Sequence, residues 1–216
     1  MKKILLFVFV SLLLFSCSSN KKKERMLANL EDTPLVGDTT AVKKQHALPA
    51  FHSISVYDAS TIEVVLGDKY ELEIDGAKVY ADAQEVNVND GELVVKYADH
   101  DSNHRKTGVR VTVPTLQSIQ VVGCGKLTML GSECKTSKID IDLQRVNVAI
   151  LSPCLTADNV SLSLKGVMFS QFRVDCNHLD ISAHSVSHVK VLGKAKSKAI
   201  DSDSPKTIDI SGLKRI

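Results

Sequence analysis

The sequence predicts an all-β protein whose main part is a parallel β-helix with coils of about 20 residues, preceded by a short β-rich N-terminal part. Three observations predict it. From Phe51 onward apolar and polar residues alternate strictly, the period of half-buried strands. Helix signals are nearly absent, residues 78–85 being the one stretch that could form a turn or two. Finally, the second half repeats itself: Ile119-Gln120-Val121-Val122 is echoed at Ile139, Val160, Leu179 and Ile208, with spacings of 20, 21, 19 and 29 residues. Repetition at this period, with no room for helices between units, is the mark of a solenoid in which each coil buries its apolar row only when the next stacks on it.

Taken in order, the elements begin with Ile54-Ser55-Val56, Ile62-Glu63-Val64, Leu72-Glu73-Ile74, Val86-Asn87-Val88 and Val109-Arg110-Val111, separated by Asp75-Gly76, Asn89-Asp90-Gly91 and Pro114. In the repeats, Ile119/Ile139/Val160/Leu179/Ile208 and Val121/Ile141/Leu162/Ile181/Ile210 are expected to stack as core ladders. Gln120/Asp140/Ser161/Asp180/Asp209 and Val122/Asp142/Ser163/Ser182/Ser211 would then stack outward. A slip of one residue would bury four carboxylates, at several kcal/mol each, so the alternation fixes which side faces in. The expected binding face is the outward set Asp140, Asp142, Ser161, Ser163, Asp180, Ser182, Asp209 and Ser211.

Before the repeats, Met1-Lys2-Lys3, an uncharged run over residues 4–15 and Ser16-Cys17 read as a secretory signal, too short to span a bilayer. Leu14-Phe15-Ser16-Cys17 resembles a bacterial lipobox, which makes Cys17 the lipidated first residue of the mature chain. More than one acyl chain would hold it to a membrane. Residues 18–46 are polar, carry the Lys21-Lys22-Lys23-Glu24-Arg25 run and show no sustained period, so residues 17–46 read as the lipidated Cys and a flexible tether. The division is thus 1–16 signal, 17–46 tether and 47–216 a single domain. By resemblance, Ser18 favours sorting to the outer membrane, with the periplasmic or surface face left open.

Removing Lys2 and Lys3 leaves equal numbers of basic and acidic residues, which argues against nucleic acid as a partner. Cys134, Cys154 and Cys176 precede successive units and could form a buried ladder, include one disulfide, or hold a metal. His184 and His188, and the His100/His104 pair with Asp99 and Asp101, read as solvated surface; no metal and no cofactor is expected. Asp140 and Asp142 resemble the acids of β-helix polysaccharide lyases, but the neighbouring coils supply Ser161, Ser163 and Ser182 rather than more carboxylates. Neither a Gly-x-Ser-x-Gly elbow nor a Ser/His/Asp constellation is present.

Between about Leu48 and Ile216 the chain carries Phe51-His52-Ser53-Ile54, Thr61-Ile62-Glu63-Val64-Val65-Leu66, Asp90-Gly91-Glu92-Leu93 and Val111-Thr112-Val113-Pro114-Thr115-Leu116. With these segments the stretch resembles the bacterial auto-transporter adhesin, head GIN domain family. Val122-Gly123-Cys124-Gly125 matches the family's Ser-Gly-Ser-Gly turn with Cys for Ser, while Leu143-Gln144-Arg145, Leu164-Lys165-Gly166 and Ala183-His184-Ser185 keep the position without the paired glycines. The resemblance implies a right-handed β-helix, no established catalytic site and a role in adhesion. The expected function is therefore a non-enzymatic envelope lipoprotein presenting a polar face to a glycan or protein partner; a third reading is self-association, in which homodimers stack to cover the strand edges at the coil ends. The competing expectation is a divergent polysaccharide lyase or hydrolase on the same scaffold.

Overall fold

The computed structural model describes residues 37–98 and 106–216. Cys17 and the segment read as a lipobox, most of the stretch read as a tether, and Asp99, His100, Asp101 and His104 lie outside the described residues. The chain is all-β, with thirteen strands in one mixed sheet. Its larger part is a set of parallel rungs: β2 (Ser53–Leu66), β7 (Ser118–Leu130), β8 (Glu133–Lys135), β9 (Lys138–Lys165), β10 (Phe169–His184), β11 (His188–Ser202), β12 (Ile208–Asp209) and β13 (Leu213–Arg215). From β7 onward, parallel partners lie between 19 and 22 residues apart in sequence, as in Ser118 with Asp140, Leu179 with Val160, Val189 with Ile208 and Gly193 with Leu213. The repeat read from the sequence is therefore a pairing distance.

Left-handed residues recur along the rungs, inside β7 and β9 and in the links that follow β9 and β10. Gly123, Arg145, Gly166 and Ser185 all have positive φ and follow one another at the rung spacing; Asp58 of β2, itself at positive φ, is in step with them. Two of these positions are glycine, which takes that conformation freely, and three carry side chains that do not.

Before β7 the chain adds β3 (Glu71–Ala77), α1 (Lys78–Asp82), β4 (Gln84–Asn89), β5 (Glu92–Tyr97) and β6 (Gly108–Val113). β5 and β6 pair in parallel with the two halves of β2, and antiparallel β4 and β3 extend them. α1 has no side-chain cap; its first amides reach Thr40 O (2.8 Å) and Asp38 O (2.9 Å), and Lys44 meets Asp82 at 2.6 Å. The stretch read as tether ends in a strand, β1 (Ala41–Ala47), which pairs antiparallel with β3. The backbone ladder with β3 along its whole length holds it, with Lys43 bonded to Glu73 at 2.8 Å, and of its side chains only Val42 packs on the core.

One continuous apolar column of Ile, Val and Leu, with Phe172 its largest fully buried side chain, runs through the rungs. The inward residues Ile119, Val121, Ile139, Ile141, Val160, Leu162, Leu179 and Ile181 are each at most 2% exposed, which settles the side of the strand that faces the core. Two expected partnerships differ. Ile119 pairs with Ile141 rather than Ile139, a shift of two residues that preserves the face. Ile208 pairs with Val189, not with Leu179, so Asp209 lies beside Lys190 and not beside Asp180. The three cysteines do not form one ladder either. Cys134 pairs with Leu155, Cys154 sits between Glu133 and Arg173, and Cys176 pairs with Ala157 and Ala195. None of the three is in a disulfide, and neither is Cys124.

A polar ladder as the candidate functional site

The alternation that buries one side of each rung leaves the other side polar. Asp140, Asp142, Ser161, Ser163, Asp180 and Ser182 all flank buried residues and are themselves half-buried or exposed. Asp180 pairs in register with Ser161, and Ser182 with Ser163. On the following rung Ser182 faces Asp201, an acid absent from the expected face. Asp209 and Ser211 belong elsewhere: Asp209 accepts from Ser211 N (2.9 Å) and Ser211 Oγ (2.7 Å), contacts that hold its carboxyl below the ordinary range.

At the N-terminal end of this face the rungs of β2, β7 and β9 carry a connected network. Tyr57 OH donates to Gln120 Oε1 at 2.9 Å, and Ser55 Oγ, which donates to Glu92, lies 3.4 Å from the same Gln120 oxygen. Gln120 Nε2 donates to Asp142 Oδ2 at 3.3 Å, and Gln144 Nε2 to the same oxygen at 3.2 Å. Sequence reasoning placed Gln120 in the outward ladder but missed Ser55, Tyr57 and Glu92, because β2 pairs with β7 across about 65 residues and no local repeat joins them. The signal available was the Ile54-Ser55-Val56 alternation, which matches Ile119-Gln120-Val121 position for position.

Further along, Lys138 neutralises Asp140 at 2.7 Å, His178 Nε2 meets Asp180 Oδ1 at 3.1 Å, and His184 Nε2 meets Asp201 Oδ2 at 3.4 Å. His178 Nδ1 lies 2.7 Å from Ser197 Oγ. His188 stacks on Phe169 with ring centroids 5.4 Å apart, away from the His184 contact. Among the described residues no three His, Cys, Asp or Glu side chains are grouped to hold a metal. What the face offers is a row of fixed donors and acceptors, with Asp142 occupied by two amides and Asp140 by an ammonium. That arrangement suits hydrogen-bonded recognition along the rungs. The thiols are not part of it. Burial pushes the Cys176 thiol up to about 11 and also raises Cys134, whose Sγ donates to Leu116 O at 3.3 Å.

Residues 50–215 match the model of a family described as "Putative auto-transporter adhesin, head GIN domain". The chain belongs to this family. Among solved structures, the fold is similar to that of a putative lipid binding protein from Parabacteroides distasonis, at 12% identity and a TM-score of 0.66, covering 82% of this chain and 77% of that one. A putative adhesin from Bacteroides fragilis is also similar, at 16% identity and a TM-score of 0.47, over 76% of this chain and 93% of its own. No curated protein matches the chain. In this GIN-family chain the left-handed position recurs at Gly123, Arg145, Gly166 and Ser185, with a side chain at two of the four. No helix of the described residues is long and apolar enough to cross a membrane.

Proposed function

We propose that this GIN-family chain is a non-enzymatic envelope lipoprotein, anchored through Cys17, whose parallel rungs wind as a right-handed β-helix and offer their polar face to a glycan or an envelope protein. The observation that carries the reading is the network of Ser55, Tyr57, Gln120, Asp142 and Gln144: its side chains are already held in place by one another, so a partner meets ordered groups and little entropy is lost on binding. The adhesin description of the family supports a binding role and a place at the cell envelope.

The test takes the full chain and its Cys17→Ala variant. Fractionation should find the former with membranes and the latter released; unchanged membrane retention refutes the anchor. The released chain is then applied to a glycan array and to envelope extracts, beside a Gln120→Ala/Asp142→Ala variant. Binding that the double variant loses supports the ladder as the site. Turnover of any polysaccharide in a parallel lyase and hydrolase panel would overturn the binding reading.

A further inference from the structure

Away from the polar ladder, the outward side of the rungs turns apolar. In β7, β9, β10 and β11 the buried residues Leu127, Ala149, Ser170 and Val189 pair in succession, so the residues flanking them point out of the core. One flanking row runs Lys126, Val148, Phe169 and His188, the other Thr128, Ile150, Gln171 and Lys190, each residue in register with the next. Leu130, two residues beyond Thr128 and 40% exposed, pairs with Val65 of β2. Met168, 59% exposed, stands beside the first row: its amide donates to Val146 O (3.2 Å) and its carbonyl accepts from His188 N (3.0 Å). Val65, Leu130, Ile150, Val148, Phe169 and Met168 thus make one apolar strip across neighbouring rungs, with the His188 ring stacked on Phe169.

Neither row holds a carboxylate between β7 and β11. Glu63, the neighbour of Thr128 on β2, is taken by Arg110 (3.1 Å), and Asp209, beyond Lys190 on β12, accepts from Ser211. Lys126 and Lys190 form no ion pair among the described residues. Both lie where their strands have neighbours on either side, so protection of an open edge does not account for them. Single exposed apolar side chains are ordinary on any surface. A continuous strip with unpaired ammonium groups at its two ends has the composition of a surface that beds into an anionic bilayer, the apolar groups among the upper acyl chains and the cations at the phosphates.

The place where the chain is held favours a bilayer over a protein as the occupant. β1 is the first strand of the run β1-β3-β6-β2-β7-β9-β10-β11-β12 that bears the strip. From β1 to β9 is five strands, about 24 Å, and the 24 residues from Ser18 to Ala41 extend to at most about 80 Å. A lipid at Cys17 therefore lets the strip reach the membrane that holds the anchor, and this choice of occupant rests on the anchor proposed above. We propose that the outward side of β7, β9 and β10 bearing Leu130, Val148, Ile150, Met168 and Phe169, with Lys126 and Lys190 at its ends, is a docking surface for an anionic lipid bilayer.

The experiment uses the purified Cys17→Ala chain, whose binding owes nothing to the anchor, with phosphatidylcholine vesicles that contain or lack phosphatidylglycerol. Added to it, Leu130→Ser/Met168→Ser and Lys126→Gln/Lys190→Gln are compared with Ile200→Ser/Ile216→Ser and Lys135→Gln/Lys196→Gln, which alter exposed residues elsewhere. Circular dichroism verifies that each variant is folded. The parent and both controls should sediment alike with phosphatidylglycerol vesicles, and each strip variant should bind about tenfold more weakly, the lysine pair's loss shrinking as salt rises. Because the chain has no Trp, Met168→Trp supplies a single reporter. Its emission should shift to the blue on these vesicles and be quenched by brominated acyl chains, while Ile216→Trp does neither. Equal binding by strip variants and controls, binding indifferent to phosphatidylglycerol, or an unshifted Met168→Trp emission overturns the proposal. A blue shift that grows with protein concentration in the absence of vesicles assigns the strip to a second copy and overturns it as well. The anchor fails separately, by fractionation after a high-salt wash that removes peripheral binding.

Discussion

Replacing Ile141 and Asp142, neighbours in β9, by alanine tests the alternation on which both core and ladder depend. Ile141 is 2% exposed and belongs to the apolar column; truncation removes most of its side chain and leaves a cavity between rungs. At about 0.8 kcal/mol per buried carbon plus the cavity contribution, Ile141→Ala should cost about 3–4 kcal/mol. Asp142 is half-buried, and its bonds from Gln120 (3.3 Å) and Gln144 (3.2 Å) are longer than the optimum, with water able to replace them. Asp142→Ala should therefore cost about 0.5–1 kcal/mol. Urea unfolding followed by circular dichroism reads both, with an unchanged m-value showing that the same surface is exposed. In thermal melts the first variant should lie about 10 °C below the wild type and the second within a few degrees. If Asp142→Ala destabilises as much as Ile141→Ala, the polar row holds the fold together, and the argument that it is free for recognition fails.

The left-handed corner offers a gain instead: Arg145→Gly relieves a conformation that costs an L residue about 1–2 kcal/mol against glycine's greater unfolded entropy, for a net stabilisation of about 0.5–1 kcal/mol in the same urea assay. Gly193→Ala should do the reverse. Its φ of +113° excludes a side chain, and a Cβ there would stand 1.9 Å from Val174 O, so soluble yield and melting temperature should both drop. Lys43 holds the Glu73 carboxyl below its ordinary value, so the stability it contributes is full above the unfolded pKa near 4.5 and disappears as pH falls through the lower folded value. Glu73→Gln should flatten the loss of stability below about pH 4 in acid titration, and leave the profile above about pH 6 unchanged. Maleimide labelling at neutral pH should reach half-exposed Cys154 in the native chain, and Cys134 and Cys176 only in denaturant.

How far the sequence foretells this architecture can be judged at single residues. Alternation at Ile139-Asp140-Ile141-Asp142 identifies the buried side without error, because a one-residue slip would place carboxylates in the column. It does not identify the partner. Ile-x-Ile looks the same after a two-residue shift, so Ile119 could choose Ile139 or Ile141, and the backbone on either side decides for the latter. The cysteines fail for the opposite reason: their distances to the next unit vary between three and six residues, and an odd difference puts neighbours on opposite sides of a strand. Asp209 and Ser211 were placed by a spacing of 29, which exceeds the distance between any two rungs from β7 onward. β1 escapes the pattern because Lys43, Lys44, Gln45 and His46 carry no apolar rhythm; its pairing with β3 shows only in three dimensions.

The pairing of β2 across about 65 residues, beside rungs that pair across about 20, has a consequence for assembly. Closing the longer loop costs about 1 kcal/mol more in chain entropy before any contact is made. Rungs β9, β10 and β11 can each find a neighbour as soon as the next is made, whereas β2, synthesised first among them, must wait with its apolar face open until β7 and β5 arrive. Pulse-labelled hydrogen exchange would show this as late protection of amides 53–66 against early protection of 169–184. The first rung of the stack to be made is, on this arithmetic, the last to be sealed.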